Sequence, residues 1–493
     1  MPVECLTMLT TLRLFLGILL AGIPVMAQSN DAVMQQALKP DSPIAENLRV
    51  LTDEIGGRVS GTEAFHKSVQ WAIAAFQQAG ADSVHTEEFK IPSFWMEGDT
   101  RVDVTAPVQF RVRAVSVAWS PPLQHSAARV VDVGMGTAAD FTHAGDILGA
   151  IVLVHSNVLK TWDDLFEEYF RAPPILEAAV KGKAVAIAFT STREHDLLYR
   201  HINSIDGNID VIPQVLLARE DSLRIQRLIA HGANVKMAIE LPNRVRPAIT
   251  SQNVIAELKG SELPNEVVIL GAHLDSWDLG TGALDNGCNA ALVIDALRAI
   301  KAAGVKPRRT MRFILFSGEE QGLFGSLDYV RTHRGELDNV VAELVLDAGS
   351  GAITSFSTGG RKDVDAALAP LVQPFAQWKA AEITNDAELG TDNFDFMLEG
   401  VPTILPNQAE ANYLVNYHAS SDTYDKVDFK QLKINEAMTA ELAVELANAP
   451  GRIGPRYTRK QIEATFPETH LDYEMKGFRL WDEWASGQRG RVQ

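Results

Sequence analysis

From Ser251 onward the chain alternates short apolar runs with helical patterns, and this alternation limits the folds open to it. Val254 to Leu258, Glu266 to Gly271, Thr310 to Phe316 and Ala342 to Asp347 read as strands. Cys288 to Ala303 and Gly322 to Thr332 carry apolar residues at helical spacing. Such an order predicts an α/β domain, with a mixed sheet that is parallel at its centre and flanked by helices on both faces. Ligands of such sheets bind beyond the carboxyl ends of the strands. Acidic and imidazole side chains collect at those ends.

His273 and Asp275 stand in G-A-H-L-D, Asp285 in A-L-D-N-G, and Glu319-Glu320 in S-G-E-E-Q-G. Asp347 follows in L-D-A-G-S-G, and His418 closes the series in Y-H-A-S-S-D-T. Each piece alone is weak; their joint arrival at one sheet edge carries the reading. Imidazole nitrogen and carboxylate oxygen suit zinc, and a two-metal site needs one carboxylate to bridge the ions. Asp285, in a turn before the helix that starts near Cys288, is placed for that bridge. Asp275 is placed to accept the second N–H of His273 and fix its tautomer. Adjacent glutamates leaving a strand point in different directions, so one of Glu319 and Glu320 can ligate while the other acts as general base. Burial in an acidic site raises the pKa of such a base. The reaction type implied is metal-assisted hydrolysis. Tyr413 and Tyr417 are alternative donors to a tetrahedral oxyanion, and the sequence does not select between them. Asp422 follows His418 at a spacing suited to holding its loop. Arg361-Lys362 is a candidate for binding a substrate carboxylate, against the plainer reading of an exposed turn.

With 493 residues the chain exceeds what one hydrophobic core usually supports, so more than one domain is expected. Its 46% apolar and 22% charged content is that of a folded globular protein. A net charge of -18 argues against nucleic acid or an anionic membrane as partner. Residues 28–107 begin with helical patterning at Ile44 to Leu51 and Ser68 to Gln78, on either side of the turn G-G-R-V-S-G-T that carries Arg58. Strands are expected there at Ser83 to Ile91 and Thr100 to Val104. Residues 108–246 change texture, with β-branched runs at Ala128 to Val133, Ala150 to His155, Ala184 to Phe189 and Val235 to Ile239. Helical patterns at Leu165 to Lys181 and Glu220 to His231 lie among them. With no metal-type cluster, this stretch reads as a smaller, β-rich, non-catalytic module inserted into the catalytic domain, which resumes over 247–450. The polar tail, 451–493, places Trp481 and Trp484 on a short helical pattern, either covering the catalytic domain or making an oligomer contact.

Arg13, the apolar run Leu14 to Val25, and Val25-Met26-Ala27 read as a cleavable export signal, residues 1–27, cut after Ala27. Glu4 departs from a basic leader, and a start at Met8 restores it. The run is short for a bilayer span, and no cysteine follows it, so no stable membrane anchor is expected. A secreted or periplasmic protein is the expectation. With Cys5 in the signal, Cys288 is left alone and forms no intrachain disulfide; it reads as a small buried residue at a helix start.

From about Asn47 to Lys433 the chain resembles the plasma glutamate carboxypeptidase, or carboxypeptidase Q, group of co-catalytic di-zinc metallopeptidases. G-A-H-L-D-S-W-D-L-G-T-G-A-L-D-N-G is similar to that group's metal signature, and S-G-E-E-Q-G-L-F-G-S to its base-and-ligand stretch. T-D-N-F-D-F-M-L-E-G-V-P, Y-H-A-S-S-D-T and R-V-S-G-T resemble further blocks. The resemblance implies a zinc exopeptidase fold, two Zn2+ per chain and an inserted protease-associated domain. It implies that Asp285 bridges the ions, that His273 and Asp347 complete one, and that Glu320 and His418 complete the other. Glu319 would be the base that activates a metal-bridged water, and Asp275 the partner of His273. Asp392 matches a position near the substrate, against a plainer reading as a turn cap. Homodimerisation is implied by the resemblance alone. Dipeptides or short peptides with a free N-terminus are the expected substrates. An aminopeptidase on longer peptides and a glutamate-type carboxypeptidase stay open. A glutaminyl cyclase shares the fold, but the insert and the complete metal set count against it. The non-enzymatic alternative is a receptor-like binding protein on the same scaffold, opposed by the presence of every ligand and of the base.

Overall fold

The computed structural model describes residues 32–124 and 127–492. The export signal expected over residues 1–27 lies outside them.

The main sheet has eight strands in the spatial order Ser83–Ile91, Ile249–Leu258, Arg309–Phe316, Leu263–His273, Val340–Val345, Thr403–Gln408, Ile353–Ser357 and Glu382–Thr384. The four strands from Arg309–Phe316 to Thr403–Gln408 run parallel. Ser83–Ile91, Ile249–Leu258 and Arg309–Phe316 pair antiparallel in turn, as do Thr403–Gln408 and Ile353–Ser357. This is the mixed, centrally parallel α/β sheet that the alternation predicts.

The period of two along each strand divides its side chains between two cores. Val268, Leu270 and Ala272 face the helices Ile44–Arg49, Glu63–Ala79, Cys288–Ala302 and Phe429–Asn448. Val267 and Ile269 pack on the opposite face with Tyr329, Val330 and Phe396. Each such aliphatic side chain gains roughly 1.5–3 kcal/mol by burial. A helix cap is worth about 1 kcal/mol, so the apolar stripes hold the helices on the sheet while the caps set where they begin and end. Thr62 accepts the Phe65 amide at the start of Glu63–Ala79, and Gly80, at φ 93, ends it in the left-handed region that glycine adopts freely.

A second sheet of nine strands is built from residues 101–241. Its path runs Phe110–Val112, Arg101–Ala106, Lys236–Leu241, Ala128–Asp132, Ile151–Val154, Ala186–Thr190, Gln214–Leu217 and Ala114–Ser116, with Leu123–Gln124 on Lys236–Leu241. The sequence reading puts the strand near Thr100 to Val104 with the N-terminal segment; in the structure Arg101–Ala106 pairs with Lys236–Leu241 in the second sheet. The chain passes between the modules twice, and the two passes, Phe94–Met96 and Arg244–Arg246, pair as an antiparallel ribbon. Helix Trp162–Lys181 of the second module starts at a capping box in which Thr161 and Asp164 satisfy each other's amides.

The tail folds back on the first module. Ile462, Phe466, Leu471, Met475 and Trp484 pack with Phe394, Met397 and Leu398 of helix Asn393–Leu398. Among the described residues no helix is long and apolar enough to cross a membrane.

Candidate active site

His273 ends its strand, Glu319 and Glu320 lie just past Phe316, and Asp347 lies just past Val345. Asp285 is presented by the turn before Cys288–Ala302, and His418 by the loop after Tyr413–Asn416. All of these side chains meet. His273 Nε2 is 2.9 Å from Asp347 Oδ1 and 3.3 Å from Asp285 Oδ1. His418 Nε2 is 2.9 Å from Glu320 Oε2 and 3.4 Å from Asp285 Oδ2. The two oxygens of Asp285 thus face different histidines. Two groups of donor atoms result, His273–Asp285–Asp347 and Asp285–Glu320–His418, each spanning no more than 4.8 Å. Glu319 Oε2 stands apart from both, 3.9 Å from His273 Nε2.

Both imidazoles are oriented the same way. His273 Nδ1 is 3.0 Å from the Asp275 carbonyl, and His418 Nδ1 is 3.0 Å from the Arg200 carbonyl. A carbonyl only accepts, so Nδ1 carries the proton in each ring and Nε2 is free for the cluster. The Asp275 carboxylate lies farther from His273 Nδ1, at 3.7 Å, and accepts the Glu319 amide at 3.4 Å. It therefore supports the backbone of Glu319, while the Asp275 carbonyl is the nearer partner of the imidazole.

The loops are pinned from behind. Asp422 accepts the amides of Ala283, Leu284 and Asp285 at 3.1, 2.7 and 3.1 Å, as its spacing from His418 suggests. The buried guanidinium of Arg58 donates to the carbonyls of Leu274, Thr281 and Gly282 at 2.7, 2.7 and 2.9 Å. Cys288 is buried at the first position of its helix, as expected, and burial raises its thiol pKa.

Burial pushes the Glu319 carboxyl well above the ordinary range; His273 opposes this, and Asp347 and Glu320 reinforce it. Burial also lowers His418 to about 4, outweighing the attraction of Asp285. A carboxyl with a raised pKa standing beside the two donor groups suits a proton acceptor next to cation ligands.

Glu319, Glu320, Asp285, Asp347 and His418 line a cavity of about 360 Å³. Its other walls come from three parts of the chain. Tyr413 and Tyr417 belong to the main module, Trp162 and Tyr169 to the second, and Phe478 to the tail. Tyr413 stacks on Trp162 with centroids 5.7 Å apart, and Tyr417 stacks on His418 at 3.7 Å. Trp162, Tyr169 and Phe478 were not legible as site residues, because nothing in their local sequence marks them.

Two expectations are corrected. Asp392 is wholly buried and is not among the residues lining the cavity; it stands at the N-cap position of Asn393–Leu398 without a side-chain hydrogen bond to that helix. Burial pushes its carboxyl up to about 8. The basic pair also lies elsewhere: Arg361 is buried against Asp363, the Pro455 carbonyl and the Tyr457 ring, and Lys362 pairs with Glu468.

Residues 253–443 match the profile of Peptidase family M28. Human carboxypeptidase Q is 27% identical over 409 residues, 82% of this chain and 85% of its own length. Aminopeptidase YwaD of Bacillus subtilis is 27% identical over 333 residues, 66% of this chain and 67% of its own. A crystal structure of a peptidase M28 precursor from Shewanella amazonensis SB2B superposes with a TM-score of 0.79 at 28% identity, covering 88% of this chain and 99% of that one. The resemblance to the carboxypeptidase Q group is borne out by these relatives. On the match over residues 253–443 and the relatives that span most of its length, the chain is a metallo-exopeptidase similar to peptidase family M28.

Proposed function

We propose that this is an exported di-zinc exopeptidase that hydrolyses dipeptides or short peptides from a free N-terminus. One observation carries the reading: the two donor groups share Asp285 and take opposite oxygens from it. The donor set fits a pair of divalent ions. Asp285 Oδ2 is buried without a hydrogen-bond partner, and Glu319, Glu320 and Asp347 crowd around it with no lysine or arginine on the cavity wall among the described residues. Carboxylates so placed repel one another unless cations lie between them. Nitrogen and oxygen donors on four-coordinate geometry suit zinc. His273 and Asp347 would hold one ion, Glu320 and His418 the other, and Asp285 both.

Zinc, when bound, supplies Lewis acidity to the scissile carbonyl and lowers the pKa of water. Glu319 takes the proton of the attacking water and returns it to the leaving amine. A raised pKa suits a carboxyl that must first take a proton and then return it. Asp275 holds the Glu319 amide, and so aims that carboxylate. Tyr417, half-buried and protonated on the cavity wall, is the better placed of the two tyrosines to donate to the oxyanion, since its ring lies on His418. Tyr413 is engaged by Trp162.

The acidic lining, with no lysine or arginine among the described residues, favours recognition of a substrate amine over a terminal carboxylate, and a 360 Å³ cavity suits small substrates. Export rests on the Arg13 to Ala27 pattern alone. The test is zinc quantification joined to hydrolysis of free, N-acetylated and C-amidated dipeptides and of tripeptides. Two zinc per chain, with loss of turnover on N-acetylation, is the expected result. Turnover of N-acetylated substrates would move the assignment to a carboxypeptidase, and zinc near zero in an inactive preparation to a binding protein.

A further inference from the structure

His418 is held in an unusual backbone conformation, at φ 55, a left-handed region that a histidine adopts only when its surroundings fix it. The backbone that fixes it belongs to the second module. Leu198 to Arg200 pairs antiparallel with His418 to Ser420: the Arg200 amide donates to the His418 carbonyl at 2.8 Å, and the Ser420 amide to the Leu198 carbonyl at 3.0 Å. The Arg200 carbonyl then takes the Nδ1 proton of His418. Arg200 is itself fully buried. Its guanidinium donates to Glu97 at 2.7 Å, to Asp278 at 3.0 Å and to the Ser116 carbonyl at 2.6 Å, and it lies over Trp95. Asp278 is on the loop that follows His273, and Glu97 is beside the ribbon that joins the modules. One arginine thus ties three loops at the rim of the cluster. His273, by contrast, is oriented by its own loop, through the Asp275 carbonyl.

We propose that Arg200, from outside the matched peptidase segment, is a positioning residue for His418, so that the Asp285–Glu320–His418 group depends on the second module while the His273–Asp285–Asp347 group does not. The second module, read from sequence as non-catalytic, is on this view part of what makes one of the two metal sites. The inference rests on the ligand assignment proposed above.

The experiment is zinc retention by the full-length protein across a graded chelator series, for Arg200→Lys, Arg200→Met, Glu97→Gln and His418→Ala. Partners that orient metal-bound histidine typically change metal affinity by about 10–100-fold. The Arg200 variants should release one zinc equivalent at correspondingly lower chelator, with the second equivalent retained as in the parent protein. Glu97→Gln should shift the same equivalent by less. Retention of both equivalents, or parallel loss of both, overturns the proposal. If the Arg200 variants do not fold, unchanged retention in Glu97→Gln overturns it instead. His418→Ala separates the two failures. Should it keep both equivalents, the ligand assignment is at fault; should it lose one while the Arg200 variants keep both, only the present inference falls.

Discussion

Tyr169 and Tyr417 meet hydroxyl to hydroxyl at 3.0 Å, one on helix Trp162–Lys181 of the second module and the other immediately before His418. Each hydroxyl has one proton to give, so one is spent between the rings and the other is left for the cavity that both line. Burial raises both phenols above their ordinary pKa, which keeps them protonated. If Tyr417 is the oxyanion donor, Tyr417→Phe lowers kcat by about 10²-fold with KM little changed. Tyr169→Phe loses only the hydrogen bond that orients Tyr417 and costs on the order of tenfold. The double variant should be no slower than Tyr417→Phe. Additive losses, or full kcat in Tyr417→Phe, would remove the pair from the mechanism.

Glu319→Gln keeps the shape of the side chain and removes its basicity. Glu319 stands outside both donor groups, 3.9 Å from the nearest imidazole nitrogen, so zinc content should be unchanged. Turnover should fall by about 10²–10⁴-fold, the usual worth of a general base. Zinc lost together with activity would instead make Glu319 a ligand, and kcat within a few-fold of the parent would exclude it as the base.

The residues that could be read from sequence are those whose position follows from the strand they terminate. His273, Glu319, Glu320 and Asp347 each sit just beyond an apolar run, and a parallel sheet brings such ends to one edge whatever the rest of the chain does. Asp285 and His418 lie on loops and were legible through their motifs. Tyr169, Arg200 and Phe478 became site residues only when the second module and the tail docked, and docking leaves no periodic trace in a sequence. The strand Thr403–Gln408 was missed for a local reason: Pro406 and Asn407 interrupt its apolar pattern, and the parallel pairing to Val340–Val345 supplies what that pattern lacks. Asp392 shows the opposite failure. Its motif pointed towards the substrate, but complete burial cannot be read from a motif.

A pH-dependent contribution to stability is expected away from the site. His333, at the end of helix Phe324–Thr332, lies 3.0 Å from Glu87 on the edge strand Ser83–Ile91. The Glu87 carboxylate raises the imidazole pKa, against a smaller opposing effect of burial. Because the folded pKa lies above the unfolded value of about 6.5, the stabilisation is complete below that value and disappears as pH rises through the folded one. Burial works against ionised Glu87, but His333 outweighs it and lowers that carboxyl, so the pair also weakens as pH falls through the folded carboxylate pKa. His333→Gln should therefore narrow the difference in Tm between about pH 5.5 and about pH 8.5 relative to the parent. An unchanged difference would mean that the pair does not titrate with folding.

One of the ion pairs that join the tail to the main module carries a distinct prediction. Arg489 donates to both oxygens of Asp395 at 2.7 Å, and both side chains are buried between the tail and helix Asn393–Leu398. Removing Asp395 leaves the buried Arg489 charge beside Phe394, Leu398 and Trp484 with the partly exposed Glu483 carboxylate 3.9 Å away, and breaking such a buried pair typically costs about 3–5 kcal/mol. Asp395→Ala should thus lower the midpoint of chemical unfolding substantially, while zinc content in the folded fraction stays at the parent value, because no ligand is touched. Replacing both partners by apolar residues, Asp395→Leu with Arg489→Met, removes the stranded charge together with the attraction, and such replacements are often close to neutral. Recovery of most of the lost stability in the double variant is the expected outcome. A double variant as unstable as Asp395→Ala would instead assign the pair a net stabilising role, with its two-pronged geometry outweighing the desolvation of both groups.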